Sequence, residues 1–327
     1  MKTGKISRVV SLVLFVSWCG LLLATYLSRQ HVVDWWKLRG YTPSSETMAL
    51  VAKTTMTDRA RHLLYVNRPA LVSGAAFRHE CPMGGEKTII LGCYKGGDRG
   101  IYLYRVSDPR LDGVVEVTAA HEMLHAAYER LSSDERRSLD RQLEAFYRQS
   151  LRDERVKTTV DSYKTLEPSE LPNEMHSIFA TEVAVLPTEL EQYYTRYFRD
   201  RQRVVALATA YQSEFTLRRE QVALYDAELA AVKTTIDSNQ AGLTTQRRTL
   251  ETRQAELTRL RASGDIAGYN ARVAGYNQLV DTYNETIQST RGLITHYNDT
   301  VEKRNAIALE ERQLTQALSA DSLPTQQ

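Results

Sequence analysis

Ala119-Ala120-His121-Glu122-Met123-Leu124-His125-Ala126-Ala127 lies in a run, Val114 to Leu131, that contains no Gly and no Pro. Within it Ala120, Met123, Leu124, Ala127 and Leu131 recur at the spacing of a buried helical stripe, and Asp112 stands where an N-cap is expected. On a helix, residues four apart share a face. His121 and His125 therefore stand side by side, able to hold one Zn²⁺ through neutral imidazole nitrogens. Glu122 is placed to take a proton from a metal-bound water. The competing interpretation is a pair of core histidines on an apolar face.

A catalytic zinc takes three protein ligands and leaves one position for water, so a further His or carboxylate is required. Downstream, residues Asn173 to Glu182 lie between Pro172 and Pro187. The pattern predicts a second helix with Pro172 in its first turn. A His-Glu-x-x-His helix followed by a Glu on a later helix resembles the gluzincin branch of the zinc metallopeptidases, over residues 43 to 198 at most. In that branch the later Glu is the third ligand. Glu174, in the first turn, is the first choice; Glu182, about 80° further round the helix, is the second and His176 the third. Ile178 stands where many gluzincins carry an acidic residue, and Glu182 is also a candidate for orienting a ligand histidine. The resemblance implies peptide-bond hydrolysis with Zn²⁺ as cofactor. It also implies an oxyanion-stabilising group, for which Tyr163 and His176 are candidates, and an edge strand that pairs with the substrate, for which Ile101 to Tyr104 is the candidate.

The flanking segments extend this picture. Glu46 to Lys53 predicts a short helix, Leu63 to Val66 a strand, and Thr88 to Tyr94 with Ile101 to Val106 a hairpin around Lys95-Gly96-Gly97-Asp98-Arg99-Gly100. Ser132-Ser133-Asp134-Glu135 offers a cap for an amphipathic helix from Arg137 to Leu151, and Arg152 to Pro172 is expected to be rich in loops. Strands first and helices after give an α+β catalytic domain, zincin-like by the resemblance.

At the amino terminus, Val9 to Leu27 carries no charged residue. As a helix these residues would rise about 28 Å, close to the hydrocarbon thickness of a bilayer. A single transmembrane helix over residues 9–27 is therefore expected after a short tail, 1–8, with a juxtamembrane linker at 28–42. Basic residues on the two sides balance, so charge barely orients the span. Besides Cys19 the chain has only Cys81 and Cys93, an even pair that fits a disulfide and hence an extracytoplasmic location for the bulk of the chain. Trp35 and Trp36 suit a membrane interface or ordinary packing. The formal net charge of +2 gives no electrostatic footprint for nucleic acid.

From residue 199 to 320 the sequence settles into heptads. Ala208, Phe215, Val222, Leu229, Ile236, Leu243, Leu250 and Leu257 form one series. After Ser263-Gly264-Asp265, Val273, Val280, Ile287, Ile294 and Val301 form another, accompanied by Tyr269, Tyr276, Tyr283 and Tyr297. The expectation is an antiparallel coiled-coil hairpin with its turn near 263–265, available for a protein partner or self-association, and a frayed tail at 321–327. The whole reads as a membrane-anchored zinc metallopeptidase acting on a peptide or protein outside the cytoplasm. The alternative is a membrane-tethered coiled-coil scaffold with a structural or vestigial metal site.

Overall fold

Residues 14–20, 29–82, 91–97 and 99–319 are described by the computed structural model. The chain divides into two units, residues 1–212 with 316–327 and residues 213–315. The first unit runs α1 (residues 29–38), α2 (Ser45–Lys53), α3 (Asp58–Val66), β1 (Ala70–Val72), α4 (Gly74–Glu80), β2 (Gly92–Lys95) and β3 (Gly100–Tyr104). It continues through α5 (Val114–Glu129), α6 (Ser133–Gln149), α7 (Glu154–Leu166), α8 (Leu171–Glu182), α9 (Thr188–Tyr194) and the beginning of α10 (Arg201–Ala262).

Local chemistry sets most of these boundaries. Ser44 and Thr57 accept hydrogen bonds from Thr47 and Ala60 backbone N–H groups and so open α2 and α3. Ser132 and Glu135 form a reciprocal capping box at the start of α6. α5 begins differently from expectation: its N-cap is Gly113 at φ +95°, a conformation glycine adopts without Cβ strain, and Asp112 ends the preceding 3₁₀ turn.

α5 is the central element. Val117, Ala119, Ala120, Met123, Leu124, Ala126 and Ala127 are all buried, and the alanines permit close approach from several sides. α8, α3, α2, β2 and β3 pack against it. The sheet has the order β1-β3-β2, with β1 parallel and β2 antiparallel to β3. Ile101 and Leu103 of β3 enter the main core, while Tyr104 joins Phe77 and Cys81 in a second cluster on the α4 side. Cys81 and Cys93 are joined as a disulfide, Cα atoms 5.9 Å apart, tying the end of α4 to β2.

In the second unit, α10 and α11 (Ile266–Leu318) run antiparallel through a turn at Gly264, φ +76°. Arg218 pairs with Glu310, Asp226 with Arg304, Glu228 with His296 and Glu256 with Arg272, so partner numbers fall on one helix as they rise on the other. Ile236 and Leu257 are buried at heptad positions, whereas Ile294 is 40% exposed and Thr290 and Thr300 take the inward places instead.

Several expectations are corrected. The fold is predominantly helical rather than α+β: the sheet consists of strands of only 3, 4 and 5 residues. Among the described residues no helix is long and apolar enough to cross a membrane. Of residues 9–27, only 14–20 are described, as helix, and the rest lie outside the described residues. Leu63 to Val66 is the end of α3, because Thr57 caps a helix whose apolar positions Ala60, Leu63 and Leu64 face the core. The stretch after Arg152 contains α7, opened by Asp153, whose carboxylate accepts from Arg155 and Val156 N–H groups. The observed hairpin is Gly92–Lys95 with Gly100–Tyr104; residues 83–90, which include the expected strand start at Thr88, lie outside the described residues. Within that sheet β3 is central and paired on both sides, so Ile101 to Tyr104 has no open edge. Residues 320–327, expected as a frayed tail, also lie outside the described residues.

Candidate metal centre

α5 presents His121 and His125 one turn apart, their rings 4.7 Å between centroids. α8 crosses α5, and Glu174 in its first turn meets both: Oε2 lies 3.5 Å from His121 Nε2, and Oε1 lies 3.5 Å from His125 Nε2. One ligand atom from each of the three residues falls within 4.8 Å of the others. Glu174 Oε2 is buried without a hydrogen-bond partner. A desolvated carboxylate oxygen facing two imidazole nitrogens is costly unless a cation lies among them. The donor set of two nitrogens and one carboxylate, open toward a cleft, matches the three-ligand arrangement of a catalytic zinc.

Electrostatics favour the ionised ligand. Burial alone would raise the Glu174 pKa, but His125, His121 and a hydrogen bond from Tyr163 outweigh it and hold the carboxyl below its ordinary value. Glu122, almost fully buried, behaves in the opposite way. Loss of solvent lifts its pKa to about 7, against the pull of His125 and of the Tyr94 backbone N–H, with the Glu174 charge adding to the rise. Two carboxylates in one site thus have separated proton affinities, the pattern expected where one holds a cation and the other moves a proton.

The cleft holds about 800 Å³ and is lined by Gly92, Cys93, Tyr94 and Gly96 of the β2 region, by the α5 residues, and by Tyr163, Glu170 and Asn173. β2 is the outer strand of the sheet, and its free edge faces this cleft. Gly92 is required there because a Cβ would lie 2.6 Å from Thr118 Cγ2 and 2.9 Å from Glu122 Oε1.

The structure therefore brings together His121, Glu122, His125, Glu174 and Tyr163. It does not bring Glu182 or His176 into the cleft. Glu182 pairs with Arg155 and accepts from Gln212, so it is engaged away from the histidines. His176 is fully buried behind the site, its ring stacked 5.5 Å from that of Tyr194 and close to Tyr128 and Tyr193. Desolvation pushes its pKa down to about 3, so it stays neutral there and has no access to an oxyanion. Cys93 lines the cleft and Cys81 is buried beneath it, the pair acting as a brace for β2.

Other residues at the site were not singled out by the sequence. Ser177, fully buried behind the cleft wall, has its Oγ 3.2 Å from His121 Nε2, and its position three residues after Glu174 puts it on the same helical face, a legible signal. Arg136, whose guanidinium lies 4.9 Å from the Tyr128 ring centroid, and Asp140, which accepts from the Tyr128 hydroxyl, come from α6 and carry no motif. No protein-family model, no curated protein and no solved structure matches this chain.

Proposed function

We propose that the chain is a zinc-dependent peptide hydrolase acting in an oxidising, extracytoplasmic compartment. The observation that carries this is the meeting of His121 and His125 with Glu174 from a separate helix, beside the buried Glu122 at the floor of an open cleft. A zinc ion held by the three residues would supply Lewis acidity toward a carbonyl and toward water. Glu122 takes a proton from the attacking water on its carboxylate and returns it to the leaving amine. Tyr163 holds Glu174 by a hydrogen bond and stands in the cleft wall. An extended substrate lies along the free edge of β2 rather than along β3. The Cys81–Cys93 disulfide supports the compartment, since such bonds persist outside the reducing cytosol.

Zinc content and cleavage of a peptide library by the full chain test this reading. Wild type and Glu122→Gln should each hold one zinc, Glu174→Ala should lose it, and cleavage by Glu122→Gln should fall by about 10²–10⁴-fold. A Glu122→Gln protein that binds zinc and cleaves at the wild-type rate removes the mechanism. A wild type that takes up no zinc removes the metal site, and the membrane-tethered scaffold becomes the better account.

A further inference from the structure

Half of the large apolar side chains that are exposed among the described residues fall between 14 and 36. Four of them lie on α1. On a helix Val32, Val33, Trp35 and Trp36 occupy one arc, with Arg39 at its middle by the helical angle, while Gln30, Asp34, Lys37 and Leu38 occupy the opposite arc. The exposures follow that division: Trp36 is 71% exposed and Trp35 61%, whereas Asp34 is 3% exposed.

The helix is not turned outward by accident of a loose terminus. Asp34 receives two hydrogen bonds from the Arg130 guanidinium, at 2.8 and 2.9 Å, and lies 2.9 Å from His62 Nε2. α1 is thus held on the domain by buried polar contacts, with its apolar arc facing solvent. A fixed apolar patch of this kind marks an interaction surface.

The surroundings of the patch specify the partner. A cavity of about 650 Å³ beside Trp36 is lined by Lys37, Arg39, Arg68, Arg99 and Tyr102, and among the described residues no carboxylate lines it. Arg39 packs over Trp35, Arg68 donates to the Lys37 carbonyl, and Arg99 Nε donates to the Gly96 carbonyl. None of these three arginines is paired with a carboxylate among the described residues. Tryptophan and valine flanked by unneutralised arginines match the boundary between acyl chains and anionic headgroups. We propose that α1 and this basic cavity form a docking face for an anionic lipid bilayer surface. The face lies outside the metal cleft, and the proposal stands whether or not the peptidase reading holds.

Fluorescence of the full chain carrying Trp18→Phe, which leaves Trp35 and Trp36 as its tryptophans, tests the proposal. Vesicles of phosphatidylglycerol should shift the emission to shorter wavelength, and lipids brominated near the headgroup should quench it. The variant Arg39→Gln/Arg68→Gln/Arg99→Gln should need about a hundredfold more phosphatidylglycerol for half-maximal quenching, at roughly fivefold per basic group near the surface. High salt should act in the same direction. Unshifted, unquenched tryptophans in phosphatidylglycerol overturn the proposal. Equal quenching by phosphatidylcholine, or an unchanged triple variant of native circular dichroism, overturns the anionic recognition. A shift that appears without vesicles as protein concentration rises assigns the face to a second copy, and one produced by soluble glycerol phosphate assigns the cavity to a free anion; either overturns docking to a bilayer.

Discussion

At the scale of single residues, the candidate centre depends on small separations. Gly92 leaves room for the Glu122 carboxylate, and any Cβ there would meet both Glu122 and Thr118 at under 3 Å. Gly92→Ala should therefore displace Glu122 while leaving His121, His125 and Glu174 in place. The expected result is full zinc content with cleavage reduced by about a hundredfold, the order associated with displacements near 1 Å. Measuring zinc stoichiometry and kcat on the same preparation checks it; an unchanged kcat would show that Glu122 adjusts without loss. Among these residues Glu174 was legible, because its place in the first turn after Pro172 and the spacing of His121 and His125 are both local properties. His176 was not, since nothing in Met175-His176-Ser177 states that its face of α8 would pack against Tyr128, Tyr193 and Tyr194.

At the scale of elements, the Asp34 carboxylate is one of the contacts that hold α1 on the domain. Burial by itself would raise the Asp34 pKa, but hydrogen bonds and charge from Arg130 and His62 lower it below its ordinary value of 3.8. A depressed carboxyl contributes stability that is complete above its unfolded pKa and is lost as the pH falls through the folded one. Asp34→Asn should accordingly cost about 3 kcal/mol at neutral pH, as expected when one partner of a buried pair is removed. The difference between variant and wild type should shrink as the pH drops below about 3.8. Denaturant unfolding of both proteins across this range measures it; a difference independent of pH would mean that the ion pair is not the source. The α7 helix shows why element prediction failed in one place. Asp153 is a recognisable cap, yet weak periodicity and the prolines at 168 and 172 favoured a loop, and only packing of Val156 and Val160 into the core makes the helix.

At the scale of the whole molecule, the disulfide and the two units set how the chain responds to conditions. The Cys81–Cys93 bond closes a loop with a sequence separation of 12, for which chain entropy gives roughly 3 kcal/mol. Reduction should lower the unfolding midpoint of the first unit, followed by near-ultraviolet circular dichroism of its aromatic core. It should leave the helical signal of residues 213–315 in place, because that unit contains no cysteine. A midpoint insensitive to reduction would show that the loop is already restrained without the bond.

What the sequence determined by itself was periodic or local. It set the two histidines and Glu122 on one helix, the proline-started helix carrying Glu174, a cap at Ser132 to Glu135, and the long antiparallel helices with a glycine at their turn. These follow from repeat spacing and from side chains that satisfy their own neighbouring backbone. Tertiary structure decided what depends on residues distant in the chain. It brought Glu174 rather than Glu182 to the two histidines, Glu182 being engaged with Arg155 and Gln212, brought Tyr163 to Glu174, and withdrew His176 into the core. It also placed β3 between β1 and β2, so that the free edge at the cleft belongs to β2. Strand order and the contents of a cleft are settled by which surfaces lose water against one another, and that competition is not written in any one segment.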